Sequence, residues 1–467
     1  MEKLYTLDEI IKATGGRAEN ITAQDISSIS IDSREIEKGA LYVAIKGDRF
    51  DGHDFVKAAI KNGAVVALVA ENHVDNLSGL PIIIVSDPLK ALMDIAIFAR
   101  SRTKAKIIAV TGSAGKTSTK EILREVLSEF GKTHASIKSF NNHWGVPLML
   151  ARMAKNTEYG VFEIGMNHAG EISPLVKMVK PDIAIITNVA PAHLAQLGSL
   201  ENIAKAKGEI FDGLKKDGTA IINIDHEQRD ILLDLAKKAN VFNVITYGFN
   251  EKANVRIVGE KVNKEGMNAL VCWSNMELNL KISNFGKHRL ANASVVLIVA
   301  KKLNLDLNKT LKTIEKMGEP EGRGKIYKFG DENNPLILID ETYNANPLSV
   351  SLTLNVFKDM KAKSGQKILI LADMLELGEK SDELHIALKD DVLAVGANKI
   401  YLIGKSMGAL ANALKVQKNV ISAKKLADIQ ETIIKSLDFG DVIMLKGSNG
   451  MKLGELVKEI RTRFDVK

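Results

Sequence analysis

Short apolar runs alternate with longer stretches of helical spacing along most of this chain. Runs at Ser28–Ile31, Ala40–Ala44, Val65–Val69 and Ile82–Val85, with a helix over Asp54–Lys61, predict a small α/β unit at the start. A polar cap at Thr6 and the pair Gly15-Gly16 bound a short amphipathic helix before it. From about 104 to 318 the runs Ile107–Val110, Val161–Ile164, Ile183–Thr187 and Ala220–Ile224 alternate with helical segments. That rhythm predicts a parallel sheet with its ligands at the strand C-termini. Polar–apolar alternation in VRIVGEKV and MELNLKIS predicts a β-rich insertion over 249–285. The stretch MGEPEGRG (317–324) reads as a linker, and a second α/β alternation follows at Leu336–Ile339, Lys367–Leu371, Lys399–Ile403 and Val442–Leu445. The expected domains are therefore 1–100, 101–318 and 319–467.

Composition changes little in this picture. With 467 residues, 45% of them hydrophobic, a large core is possible. The one cysteine, Cys272, excludes an intramolecular disulfide and fits a reducing compartment. No apolar leader opens the chain and no uncharged apolar stretch is long enough to span a membrane, so a cytoplasmic protein is expected. The net charge is +7, but aromatics are 5% and no basic block occurs, so nucleic acid is not expected as a partner. A substrate carrying pyrophosphate and carboxylates accounts for the charge equally well.

The chemistry starts in IIAVTGSAGKTSTKE (107–121). A buried strand breaks at Thr111-Gly112 and a helix begins near Lys116, an order that points backbone N–H groups at a phosphate. Gly112, Ser113, Ala114, Gly115, Lys116, Thr117 and Ser118 form the loop. Lys116 would reach the outer phosphates and the Thr117 hydroxyl would sit on Mg²⁺. A strand–turn–helix with a chance lysine is the plain alternative. The common phosphate loop needs a glycine at 110, where this chain has Val110, so the motif is the shorter T-G-S-A-G-K-T. Glu163 ends the next apolar strand, where an unpaired acid is costly and a metal ion would balance it. His193 follows a further strand on the same edge, so a metal role and a structural one both stand.

These residues resemble the Mur ligase family, which also includes folylpolyglutamate synthetase. That family carries an acid in E-x-G, a histidine in N-V-x-x-x-H-L and a lysine in the next helix, here Glu163, His193 and Lys207. In several members the lysine is carbamylated and helps hold a second Mg²⁺; the state of Lys207 is left open. SFNNHWGVPLML matches N-N-x-x-G-V-P and makes Asn142 the expected substrate or phosphate contact. Asn292 matches an asparagine placed near adenine, and Arg323 an arginine on nucleotide phosphate or ribose. Arg289 stands where the family usually has asparagine. In ILIDETYNANPLSV, Asp340 is the expected ribose contact, while Tyr343, Asn344 and Asn346 should face the cleft. Glu341 replaces a more usual aspartate there. In ILADMLELGEKSDELH, Glu376 and His385 complete a motif, with a helix-surface role or a catalytic one open for each. Lys446 and Ser448 match the K-G-S of members that add D-alanyl-D-alanine, as donors to a carboxylate. SIDSREIEKGALYVAIKGDRFDGHDFV resembles the family's UDP-sugar domain, with Ser33, Arg34, Lys46, Gly47, Asp51, Gly52 and His53 as substrate-binding candidates.

The resemblance implies an α/β protein of three domains. These are a small N-terminal UDP-binding domain, a central P-loop ATPase-like parallel sheet and a C-terminal Rossmann-like α/β domain. It implies an ATP- and Mg²⁺-dependent amide-forming ligase, with Lys116, Glu163, His193 and Lys207 as catalytic residues and Thr117, Glu163, His193 and Lys207 around the metal. UDP-N-acetylmuramoyl-tripeptide and D-alanyl-D-alanine are the implied substrates, in cytoplasmic peptidoglycan precursor synthesis, by a monomer whose third domain rotates to close over the nucleotide. Addition of the third amino acid, folylpolyglutamate synthesis and a nucleotide-gated binding protein without catalysis are the alternatives.

Overall fold

In a computed structural model of the chain, the structure describes residues 3–465 apart from 24, 138–139, 192–193, 264–265, 284 and 319–320. The capped helix near the start forms as Leu7–Thr14, with Thr6 and Glu9 exchanging the two bonds of a capping box. The first large sheet runs Arg17–Glu19, Ile82–Val85, Ala64–Ala70, Ala40–Val43 and Ser28–Ser30, its first pair antiparallel and the others parallel.

The central sheet is the largest. From one edge it runs Thr133–Ala135, Tyr159–Glu163, Lys106–Thr111, Ile183–Ile186, Thr219–Asn223 and Asn243–Gly248, all parallel. The apolar strands anticipated from sequence lie here within two residues of their expected ends. The β-rich stretch is not a separate insertion. Val255–Asn263 joins the same sheet beside Tyr247 and Gly248, and Gly266–Trp273 and Met276–Ile282 extend it as an antiparallel meander. Alternation explains this: Val255, Ile257, Met267, Ala269, Val271, Leu280 and Ile282 bury one face against the helix Lys287–Lys302, while Arg256, Glu260 and Lys281 turn away.

The C-terminal sheet orders its strands Lys325–Phe329, Leu336–Glu341, Val442–Lys446, Lys367–Ala372, Lys399–Ile403 and Val420–Ala423. Only its edge pair Lys325–Phe329 with Leu336–Glu341 is antiparallel among the described residues. Apolar cores cover both faces of this sheet.

The first and central units share one apolar core. Helix Pro88–Ser101 contributes Ala91, Leu92, Ile95, Ala96 and Ala99, which pack with Ile29, Leu41 and Leu68 on one side and Val146, Leu150 and Val176 on the other. Polar ties reinforce the joint. The Tyr5 hydroxyl donates to Ala151 O at 2.5 Å, Arg152 Nε to Ile29 O at 2.6 Å, and Arg100 Nε to Val179 O at 2.7 Å. Among the described residues no helix is long and apolar enough to cross a membrane.

Candidate active site

The carboxyl edges of the central and C-terminal sheets meet around a cavity of about 390 Å³. One wall is the loop after strand Lys106–Thr111. Ser113–Ser118 line it, and helix Lys116–Ser128 starts there with its N-terminus facing the cavity. Gly115, at φ +82, turns the chain into that helix; a Cβ there would lie 2.7 Å from Asn292 Oδ1, so only glycine lets helix Lys287–Lys302 seat this close. The loop is further pinned from the neighbouring strand end. Asn188 Oδ1 accepts Ala114 N–H at 2.9 Å, and Ser113 Oγ donates to Ala190 O at 2.8 Å. Lys116 Nζ donates to Gly112 O at 2.6 Å, folding its ammonium over the loop, and desolvation there pulls it below the usual lysine range.

Beside the loop stands a compact oxygen cluster. Thr117 Oγ1 donates to Glu163 Oε2 at 2.6 Å, and Glu163 Oε1 accepts Asn141 Nδ2 at 2.7 Å. Glu163 is buried at the end of its strand, as its place in an apolar run anticipated. A carboxylate and a hydroxyl converging at a phosphate loop are a hard-oxygen donor set that suits Mg²⁺. Lys207 lines the same cavity and is 3% exposed. Burial, reinforced by nearby Lys116, pulls its ammonium well below the usual range, which favours the neutral amine. His193, expected beside these groups, lies outside the described residues.

The opposite wall comes from the linker and the C-terminal sheet. Arg323 stacks its guanidinium 3.8 Å above the Tyr343 ring, and both line the cavity with Asn344, Asn346 and Lys446. Asn346 also caps helix Pro347–Asp359, accepting Ser349 N–H at 2.8 Å. Lys446, 2% exposed, places Nζ 3.3 Å from Glu341 Oε2 and 3.2 Å from Asn344 O. Desolvation pulls its ammonium below the usual range against the attraction of Glu341. Glu376 reaches the cavity from a loop where it holds φ +65.

Several expected residues are placed otherwise. Of the asparagine pair, Asn141 faces the cavity. Asn142 instead accepts Gly145 N–H at 2.9 Å and Trp144 N–H at 3.2 Å, closing the turn into helix Gly145–Ala151. Asp340 does not line the cavity. Its carboxylate accepts Gly322 N–H at 2.8 Å and Thr342 Oγ1–H at 2.6 Å, holding the linker turn that presents Arg323. Ser448 Oγ accepts Leu375 N–H at 2.9 Å and braces the loop carrying Glu376. His385 is on neither the surface nor the cavity wall. It is fully buried, with Nε2 accepting Met374 N–H and Nδ1 donating to Ser381 O.

None of the first-unit candidates lines the cavity. Arg34 is exposed and pairs with Asp32 at 2.6 Å, and Ser33 O accepts from Asn62. Lys46 bridges to Asp51 through the backbone, the Gly47 backbone lies against the Trp144 ring, and Gly52 O accepts the Tyr42 hydroxyl. Asp51, His53 and His73 cluster, but His53 Nε2 accepts Ala70 N–H at 3.0 Å while Nδ1 faces Asp51 Oδ1 at 2.5 Å. With both ring nitrogens engaged, His53 has no lone pair for a metal ion.

Among the cavity residues not anticipated are Asn141 and the pair Glu341–Arg289. The doubled asparagine was the only signal for the first. For the second, the two departures from the family pattern were on view, but nothing showed that they touch.

Family models match this chain in three consecutive segments. Residues 25–122 match one described as "Mur ligase family, catalytic domain", 110–300 the "Mur ligase middle domain", and 326–449 the "Mur ligase, glutamate ligase domain". A UDP-N-acetylmuramoyl-tripeptide–D-alanyl-D-alanine ligase of Rickettsia prowazekii is 36% identical over 434 residues, 92% of this chain and 94% of the relative. The crystal structure of MurF from Acinetobacter baumannii superposes with a TM-score of 0.86 at 27% identity, covering 99% of both chains. MurF of Thermotoga maritima in complex with ADP shares the fold, with a TM-score of 0.77 at 24% identity over 94% of this chain and 98% of that one. With such coverage along all three sheets, the chain belongs to the Mur ligase family.

Proposed function

We infer that this protein is an ATP-dependent ligase that joins D-alanyl-D-alanine to UDP-N-acetylmuramoyl-tripeptide. The observation that carries the reading is the arrangement of the cavity. A phosphate loop with Lys116 forms one wall, and Lys446 with Tyr343 and Asn344 forms the wall opposite, so a phosphoryl donor and a carboxylate-bearing amine can meet between them. The similarity to D-alanyl-D-alanine-adding relatives over nine-tenths of the chain supports the choice of substrates.

A carboxylate is a poor acyl donor because its charge repels nucleophiles and its oxygen leaves badly. The γ-phosphoryl of ATP is transferred to the terminal carboxylate of the tripeptide, giving an acyl phosphate and ADP. The amine of D-alanyl-D-alanine attacks the acyl carbon; the C–N bond forms, the C–O bond to phosphate breaks, and the amine proton is lost. Loop N–H groups and Lys116 would hold the phosphates, and Asn292 and Arg323, which line the same cavity, would contact the base and the sugar or phosphate. Thr117 and Glu163 would hold Mg²⁺, with Lys207 on the same cavity wall. The ion, when bound, neutralises charge on the phosphate oxygens. Asp340 and Ser448 act through the backbones they brace. The residues of the first unit are proposed to hold the UDP end of the acceptor. The setting we propose is the cytoplasm. The proposed working unit is one chain.

Phosphate release decides the matter. It should require ATP, Mg²⁺, the UDP-tripeptide and D-alanyl-D-alanine together, with product mass matching the pentapeptide. Turnover with UDP-dipeptide and a free third amino acid, or with a folate acceptor, would reassign the substrates. Nucleotide binding without turnover on any acceptor would leave a binding protein.

A further inference from the structure

One ion network crosses the seam between the central and C-terminal sheets. Arg289 lies in the first turn of helix Lys287–Lys302, one turn before Asn292, which is seated against Gly115 of the phosphate loop. Its Nη2 reaches across to Glu341 Oε1 at 2.9 Å, at the end of a C-terminal strand, and to Arg323 O at 3.0 Å in the linker. Glu341 offers its other oxygen to Lys446. The side chains of Arg289, Glu341 and Lys446 are 11%, 12% and 3% exposed, so screening by solvent is slight. Gly324 makes room for the crossing. At φ +95, a Cβ there would fall 2.1 Å from Arg289 Nη2 and 3.0 Å from Glu341 Oε1.

We propose that Arg289 is a positioning residue: it clasps the C-terminal sheet to the phosphate-loop side and, by sharing Glu341, keeps that acid from engaging Lys446 alone, so that Lys446 can meet the carboxylate of the incoming dipeptide. This rests on the reading of D-alanyl-D-alanine as the amine substrate. Without Arg289, Glu341 neutralises Lys446 alone and draws its ammonium toward the strand end. A buried acid also binds more strongly to the cation left to it. Arg289 further fixes the carbonyl of Arg323, whose guanidinium lies over Tyr343 on the same wall.

The test is steady-state kinetics on the full chain with each substrate varied, for wild type, R289M, R289K and R289M/E341Q. R289M should raise the KM for D-alanyl-D-alanine about tenfold, with the KM for ATP changing less than about threefold. R289K should recover most of the loss, because it restores a cation to Glu341. Adding E341Q to R289M should bring the dipeptide KM back toward wild type, because the acid that captured Lys446 is gone. A double variant no better than R289M, or a loss confined to ATP, overturns the proposal. Should wild type release no phosphate with D-alanyl-D-alanine, the substrate reading falls instead. The clasp is then decided by small-angle scattering with a non-hydrolysable ATP analogue: a larger maximum dimension for R289M than for wild type upholds it, and superimposable profiles reject it.

Discussion

The two seams of this molecule are built from opposite materials. Between the first and central units, Leu92, Ile95, Leu41, Leu150 and Val176 fuse into one apolar core. Between the central and C-terminal units, Lys116, Lys207, Arg289, Arg323 and Lys446 line one cavity with Glu163, Glu341 and Glu376. Apolar burial is non-directional and fixes a joint through its area. A charged seam carries pairs that an entering ligand can replace, so it responds to what enters. The first seam is therefore a fixed foundation and the second a working surface.

Substitutions should divide along the same line. Lys116→Ala ought to cut phosphate release by at least about 10³-fold while leaving the melting temperature nearly unchanged, since it removes charge stabilisation and no core packing. Comparable activity in Lys116→Ala would break the contrast outright. Leu92→Ala, fully buried in the joint, should cost about 3 kcal/mol in denaturant unfolding with little change in KM for any substrate. Acid should then weaken the foundation by a route that does not touch the chemistry. Burial pushes His134, whose Nε2 contacts Met149 O, down to about 4 from its ordinary 6.5. The unfolded chain therefore takes up the proton first, and stability, full above pH 6.5, should fall toward pH 4 by up to about 1.4 kcal/mol per pH unit. Melting curves at pH 7 and 5 would show it, and His134→Gln should flatten the decline. Smallest of all, Tyr5→Phe loses the hydroxyl bond to Ala151 O and should cost about 1 kcal/mol in the same unfolding assay, with turnover unchanged.

What could be read from the chain follows the same division. Strands such as Ile82–Val85 and Lys399–Ile403 were legible to the residue because both faces are buried and the apolar run is continuous. The phosphate loop was legible because Gly115, Lys116 and Thr117 must be consecutive to do their work. Short strands such as Thr133–Ala135 and Arg17–Glu19 were not, because pairing defines them and their composition does not. Nor could sequence tell Asn141 from Asn142, since a difference of one position decides which amide faces the cavity. Asp340 and Ser448 stand within motifs yet spend their polar atoms on backbone. A motif marks where precision is needed, and leaves open which of its members touches substrate. The Arg289–Glu341 pair, 52 residues apart, joins two sheets that no local pattern connects.

Helix Lys287–Lys302 is buried on every side from Leu290 through Ala300. A rod with no wetted flank cannot slide or roll without opening a void around its whole circumference. It therefore serves as the fixed datum of the molecule, with the loop's Gly115 gauged against its second turn and the clasp mounted on its first. Whatever displacement accompanies turnover must be borne by the partner across the gap, and the amide protons of this stretch should be among the last to exchange with deuterium.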